Sequence, residues 1–194
     1  MNNLNYSPNE CLETFPFPQN LNQQQEQQLE TIGEAYHEHR RKLMLSIHLG
    51  LTKTYNLFHS SAISEQAVNE KDKQITSLQK HLEKTPNTIS FNEALQGILK
   101  LRELHVKMDN AVLDAYGWND IALNHDIYEV DYLPETDRVR YTIHPDSRKE
   151  VLKRLLELNH KIHAEEVAAG LWDKKPTAKA KKKKATSPEQ SELF

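Results

Sequence analysis

The chain of 194 residues is long enough for one domain with terminal segments. It has only 5 glycines and 27% charged residues, which favours a helical protein over a sandwich or barrel. No apolar run reaches 18 residues and no secretory signal begins the chain, so we predict neither a membrane span nor export. The single cysteine, Cys11, cannot form an internal disulfide. We therefore expect a cytoplasmic protein.

Charge is divided unevenly along the chain. Residues 172–194 hold seven lysines and three acidic residues, so this segment carries +4. Because the whole chain carries −3, the preceding residues carry −7. An acidic body is poorly suited to a large nucleic-acid footprint, which needs clustered lysine and arginine.

The N-terminal residues 1–20 predict an extended arm. Proline disfavours helical backbone in the residue before it, and Phe15-Pro-Phe-Pro18 alternates proline with aromatic rings. We predict that Phe15 and Phe17 bind a protein partner. A helical domain is predicted to follow over residues 21–171.

The first half of that domain predicts two helices. Over residues 22–48, apolar residues recur at three- and four-residue steps, which places them on one face. They are Leu29, Ile32, Tyr36, Leu43 and Ile47. Gly50 interrupts the pattern, and a short helix is predicted over residues 51–58.

Two further helices are predicted next. Ile75, Leu78 and Leu82 indicate a modest helix that Pro86 ends. A longer helix begins at a Ser90–Glu93 capping box, and Gly117 is predicted as its left-handed C-terminal cap. Its apolar stripe is predicted to comprise Phe91, Leu95, Ile98, His105, Met108, Val112 and Ala115.

The pattern changes period near residues 126–143. Alternating apolar residues flank Pro134-Glu-Thr-Asp137, which predicts a short β-hairpin. A last helix is predicted over 145–169, with Val151, Leu155, Leu158 and Ile162 facing inward. Residues 172–194 are predicted to be a disordered lysine-rich tail. The predicted fold is mainly α: a bundle of two to three long helices with a small β-hairpin and disordered termini.

Several sequence blocks carry a family resemblance. They read YSPNECLETFPFP at 6–18, YHEHRRKLML at 36–45, LTKTYNLFH at 51–59, LRELHVKMDNAVLDAYGW at 101–118, RYTI at 140–143 and EVLKRLLELNH at 150–160. Together they resemble the C-terminal, non-catalytic helical region of large bacterial restriction-modification adenine DNA methyltransferases of the type IIG-like class. In those enzymes the arm segment follows directly on the target-recognition part, whereas here it begins almost at Met1.

The resemblance implies a role beside DNA but no methyl transfer by this chain alone. An adenine methyltransferase needs a glycine-bearing loop for S-adenosylmethionine and an Asn/Asp-Pro-Pro-aromatic motif. Neither occurs, and no two prolines are adjacent. We therefore predict no catalytic residue, no cofactor and no enzyme activity.

Ten histidines raise a metal hypothesis. Glu34 with His37, and Glu157 with His160, have the helical spacing used in di-iron bundles, and His39 and His163 lie nearby. A di-metal site needs two further inward carboxylates, which the apolar stripes do not supply. We therefore interpret the histidines as surface or packing residues and predict no metal site. Tyr116 and Trp118 present a similar choice between a base-stacking platform and a packed helix end, and we favour packing.

Basic residues supply the predicted DNA contacts. In the body they are Arg40, Arg41, Lys42 and Lys53, which contact phosphates or form a solvated helix face. In the tail they are Lys181, Lys182, Lys183 and Lys184, which form a basic arm or merely add solubility. The final residues resemble the peptide by which bacterial DNA enzymes bind the replicative sliding clamp, with Gln190, Leu193 and Phe194 as its contacts. Ser191 replaces the usual leucine, which weakens the match.

Three functions remain open at this stage. The chain is a separately encoded, non-catalytic subunit of a split restriction-modification methyltransferase in phage defence, supporting DNA binding or assembly of a catalytic partner. Alternatively it is an autonomous DNA- or sliding-clamp-binding accessory protein, or a non-functional remnant of a truncated methyltransferase gene. The first predicts a catalytic methyltransferase or restriction subunit as partner, with DNA bound through the complex.

Overall fold

A computed structural model describes residues 15–64 and 68–171. Within them lie five α-helices and one antiparallel hairpin, so the mainly helical fold with a small hairpin is confirmed. The helices are α1 (Gln23–Ile47), α2 (Leu51–Phe58), α3 (Lys73–Lys84), α4 (Phe91–Tyr116) and α5 (Pro145–Ala168). The strands are β1 (Asp126–Glu129) and β2 (Val139–Thr142), joined through a short 3₁₀ turn at Glu135–Asp137.

Local capping interactions explain where the helices begin and end. The predicted box at Ser90 is present: its hydroxyl accepts from the Glu93 amide, and the Glu93 carboxylate accepts from the Ser90 amide. Gly117 adopts a left-handed φ of 70° at the C-terminus of α4, also as predicted. An unpredicted box at Asn22 begins α1, and His48, with φ 51°, caps its C-terminus. Gly50, which interrupts the apolar pattern of the sequence, is the N-cap residue that precedes α2.

The main core takes buried residues from α1, α2, α3 and α4, and its most extensive helix pair is α1 with α4. Leu43 and Gly97 meet there so closely that a Cβ added at Gly97 would lie 2.5 Å from the Leu43 Cδ1. His39 adds a polar contact across the same interface, donating from Nε2 to the Gly97 carbonyl at 2.8 Å. The predicted stripe of α4 is wrong at Val112, which is 41% exposed. The buried face instead includes Leu101, Leu104, Ala111 and Leu113.

Arg102 is a charged residue inside the core, only 6% exposed. Its Nε donates to the Phe58 carbonyl at 2.8 Å. Its two terminal nitrogens each donate at 2.7 Å to the carbonyls of Ile63 and Ser60. These carbonyls belong to the last residue of α2 and to the turn after it, and the Ser60 carbonyl also accepts from the Ile63 amide at 3.4 Å. The guanidinium therefore fastens α2 and its following turn to α4.

The hairpin has one register, with Ile127 opposite Tyr141 and Glu129 opposite Val139. Tyr141 packs against the main core. A second, smaller cluster of Leu113, Ile121 and Leu123 lies beside the hairpin, and Trp118, Ile143 and Val151 pack against it. The hairpin is thus held by apolar contacts, because two strands alone are marginally stable in water.

Helix α5 forms as predicted, and the residues predicted to face inward, Val151, Leu155, Leu158 and Ile162, are partly buried. None of its residues is fully buried, and Leu152 and Leu156 are each 59% exposed. Val151 does pack, against the smaller cluster. Residues Phe17–Arg154 form one compact unit, which contains the main core and the smaller apolar cluster. Leu155 and the rest of α5 belong to a second unit. Among the described residues, no helix has the length and apolarity to cross a membrane.

Candidate functional site

A cluster of one carboxylate and two imidazoles is the most chemically distinctive feature of the structure. His105 and Asp109 lie one helical turn apart on α4, so they project from the same face. His125 lies in the segment just before β1. The Asp109 Oδ2 atom is 2.7 Å from His125 Nε2 and 3.5 Å from His105 Nε2. We call these three residues the His-Asp-His cluster.

Aromatic rings from three other parts of the fold surround this cluster. The His105 ring centroid is 5.9 Å from that of Tyr36 on α1 and 5.4 Å from that of Phe58 on α2. The His125 ring stacks beside Tyr141 of β2 at 6.2 Å. The Tyr36 hydroxyl is itself hydrogen-bonded to the Tyr55 hydroxyl at 2.7 Å. The cluster therefore lies where α1, α2, α4 and the hairpin meet.

This low-dielectric setting changes the protonation of the nearby groups. Burial lowers the pKa of His105, opposed by the charge of Asp109. Burial, aided by the positive charges of Arg140 and Arg102, lowers the pKa of His59 to about 4. Burial and the hydrogen bond to Tyr55 raise the pKa of Tyr36. The Nδ1 atoms of His59 and His105 are buried without a hydrogen-bond partner. Burial thus favours the neutral imidazole of His59 and His105.

A cavity of about 700 Å³ borders the cluster on one side. His125, Tyr141 and Arg102 contribute to its wall, together with Lys107 and Glu103 of α4. The Arg102 nitrogens are already committed to backbone carbonyls, so this arginine is a structural residue rather than a free anion receptor. The cavity gives solvent and small solutes a route to the His125 side of the cluster.

The predicted basic residues of the body do not form one positive surface. Arg41 and Lys42 both pair with Glu38, at 2.7 and 3.4 Å. The Arg40 guanidinium lies over the Tyr36 ring at 5.8 Å. Lys53 lines a separate pocket of about 310 Å³ between α2 and α3. Internal pairing reduces the charge that Arg41 and Lys42 can offer to phosphates.

The predicted partner-binding residues are only partly covered by the structure. Phe15 and Phe17 are 41% and 50% exposed, and the intervening Pro16 is buried. The predicted tail contacts Lys181, Lys182, Lys183, Lys184, Gln190, Leu193 and Phe194 lie outside the described residues.

Tyr116 and Trp118, the aromatic residues at the C-terminal end of α4, are packed against each other. The Tyr116 and Trp118 rings stack with centroids 4.5 Å apart, and Trp118 contacts the smaller apolar cluster. Tyr55 likewise packs against the main core. These contacts agree with the packing interpretation of the helix end rather than with a base-stacking platform.

Sequence reasoning missed the His-Asp-His cluster. It placed His105 on an apolar stripe and did not connect it with Asp109 or His125. One local signal was available, since His105 and Asp109 are four positions apart on a strongly predicted helix and therefore lie on the same face. The third member is 16 residues beyond Asp109, and only the path of the chain after Gly117 brings it back.

No protein-family model, curated protein or solved structure matches this chain. The resemblance to methyltransferase C-terminal regions therefore depends on the sequence blocks quoted above.

Proposed function

We propose that this chain is a non-catalytic helical subunit of a restriction-modification DNA methyltransferase, encoded apart from the catalytic chain. It corresponds to the C-terminal region of the enzymes that its sequence resembles. In this proposal it binds a catalytic partner that holds S-adenosylmethionine and the target base, and it supports that partner on DNA.

The observation that carries the proposal is where the resembling blocks lie in the fold. Tyr36, Phe58, His105 and Tyr141 come from four different blocks. Their rings form one contact network, since Phe58 is 5.4 Å from both His105 and Tyr141, and Tyr36 is 5.9 Å from His105. These four blocks therefore read as parts of one folded module. A decaying gene remnant has no reason to retain such a shared core.

The surface also suits a protein partner better than an extended DNA duplex. The body carries −7, and two of its four predicted DNA-binding residues pair internally with Glu38. Large apolar side chains are meanwhile exposed, including Phe17 at 50% and Leu152 at 59%. Exposed apolar groups favour protein contacts. We infer that the catalytic partner makes most of the phosphate contacts, with the lysine tail adding salt-sensitive affinity.

The test is co-purification of the tagged full-length chain from its native cell extract, with mass spectrometry of the recovered proteins. The expected partner has a glycine-bearing S-adenosylmethionine loop and an Asn/Asp-Pro-Pro-aromatic motif, and its own sequence stops at the recognition region. Purified partner should then methylate adenine in DNA faster when this chain is added.

A matched pair of double variants locates the contact. Phe15→Ser with Phe17→Ser should abolish recovery of the partner. Leu45→Ser with Leu51→Ser removes apolar side chains of similar exposure, 60% and 54%, and should leave recovery unchanged. Recovery of only the sliding clamp would favour the autonomous accessory protein. Recovery of no partner, with no effect on methylation, would refute the proposal and leave the gene remnant.

A further inference from the structure

We propose that His105, Asp109 and His125 bind one divalent transition-metal ion, for which Zn²⁺ is the probe. The proposed subunit function does not require this site, and the site does not require that function. The ion would cross-link α4 to the segment that leads into the hairpin.

The geometry brings three donor atoms to one point. His105 Nε2, Asp109 Oδ2 and His125 Nε2 all lie within 4.8 Å of one another. Two of the pairs are already at 2.7 and 3.5 Å. Zinc ligands at about 2.0–2.1 Å in a tetrahedron are separated by about 3.3 Å. Shifts of about an ångström or less would therefore bring the three donor atoms to the mutual separations of a tetrahedral site.

The donor chemistry selects the class of metal. Two imidazoles and one carboxylate suit zinc, iron, copper or nickel, whereas magnesium and calcium prefer oxygen ligands. Three protein ligands also leave a coordination position for water, as in catalytic rather than closed structural zinc sites. Binding requires neutral imidazoles.

The site is buried enough to be selective and open enough to be reached. The His125 side chain is only 4% exposed, while those of His105 and Asp109 are each 28% exposed. An ion could therefore enter without unfolding of the core. Within residues 15–64 and 68–171, this is the one place where three such ligands converge. His39, a histidine considered from sequence, instead donates to the Gly97 carbonyl.

The direct experiment is a calorimetric titration of the full-length chain, stripped with chelator, with Zn²⁺ alone. We expect one equivalent to bind and the melting temperature to rise. Mg²⁺ at the same concentration should do neither. In an NMR spectrum of the imidazole nitrogens, Zn²⁺ should shift Nε2 of His105 and His125 and leave the other eight histidines unchanged.

Variants assign the ligands. Asp109→Asn keeps the shape of the side chain but removes its charge, and His125→Gln removes a donor nitrogen. Each should weaken Zn²⁺ binding by more than the roughly 10- to 100-fold that follows loss of an outer-sphere partner. The control is Glu34→Gln with His37→Gln, a pair with metal-ligand spacing on α1, which should bind Zn²⁺ as the native chain does.

The spectrum of the native chain decides the proposal even if a ligand variant fails to fold. No binding of Zn²⁺ would overturn it, and so would saturation that shifts other histidines but not His105 and His125. Binding that survives Asp109→Asn but is lost in the Glu34 and His37 control would also overturn it. In those cases the three residues form only a hydrogen-bonded cluster.

Discussion

Replacing Arg102 with methionine tests how the turn after α2 is held in place. Methionine fills a similar volume and retains helix propensity, so the change mainly removes the guanidinium. Three carbonyls, of Phe58, Ser60 and Ile63, then lose donors at 2.7–2.8 Å. The cation over the Tyr141 ring, 4.6 Å from its centroid, is lost as well.

The expected cost follows from these bonds. A buried polar group left without its partner costs about 1–3 kcal/mol. The Phe58 and Ile63 carbonyls lose the donor that Arg102 supplies, whereas the Ser60 carbonyl keeps its bond from the Ile63 amide. Part of this is offset because the native fold no longer has to bury a charge. Burial does carry such a cost here, since it lowers the pKa of Arg102. For two carbonyls that lose a donor, with this offset, we therefore expect a net destabilisation of about 2–4 kcal/mol.

The assay is urea unfolding followed by circular dichroism at constant pH. Lys100→Met on the same helix is the control, because Lys100 is half-exposed and pairs only with Glu103 on the surface. It should leave the unfolding midpoint unchanged. If Arg102→Met costs less than about 1 kcal/mol, the three bonds do not hold the turn and the reasoning is refuted.

Three further outcomes are expected. Gly33→Ala should stabilise α1 by about 0.5–1 kcal/mol in thermal unfolding, because a Cβ there meets no atom within 4 Å. Gly97→Ala should instead be neutral or destabilising, because its Cβ would displace Leu43; equal gains at both glycines would contradict the close α1–α4 packing. Ser90→Ala should cost about 1 kcal/mol in urea unfolding through loss of the α4 cap, and a null effect would show that the cap is dispensable. The folded-state pKa of His59, about 4, lies below its unfolded value of 6.5, so the unfolded chain binds more protons between these values and stability falls as pH falls. Between about pH 7 and about pH 5, the free energy of unfolding should fall by about 1–2 kcal/mol after allowance for solvent screening. The His59→Leu variant should lose correspondingly less stability over the same range. Equal losses in the two proteins would exclude His59 as the source.

Local sequence signals were sufficient for most of the helix boundaries. The Ser90 capping box and the left-handed Gly117 each depend on residues within one turn, so the sequence determines α4 almost completely. The hairpin was also predictable, because its alternating pattern brackets a single proline-containing turn. The same local rules do not state which face of a helix meets which neighbour.

Only the tertiary structure decided the polar interior. A charged residue such as Arg102 is expected on the surface, and here it is buried because its guanidinium donates to three carbonyls 39 to 44 residues earlier in the chain. The predicted burial of Val112 failed for a related reason, since periodicity identifies an apolar face without supplying the surface that covers it. The His-Asp-His cluster shows the same limit. The sequence places His105 and Asp109 on one helix face, but His125 reaches them only because the chain turns back after α4 and packs its hairpin on the core.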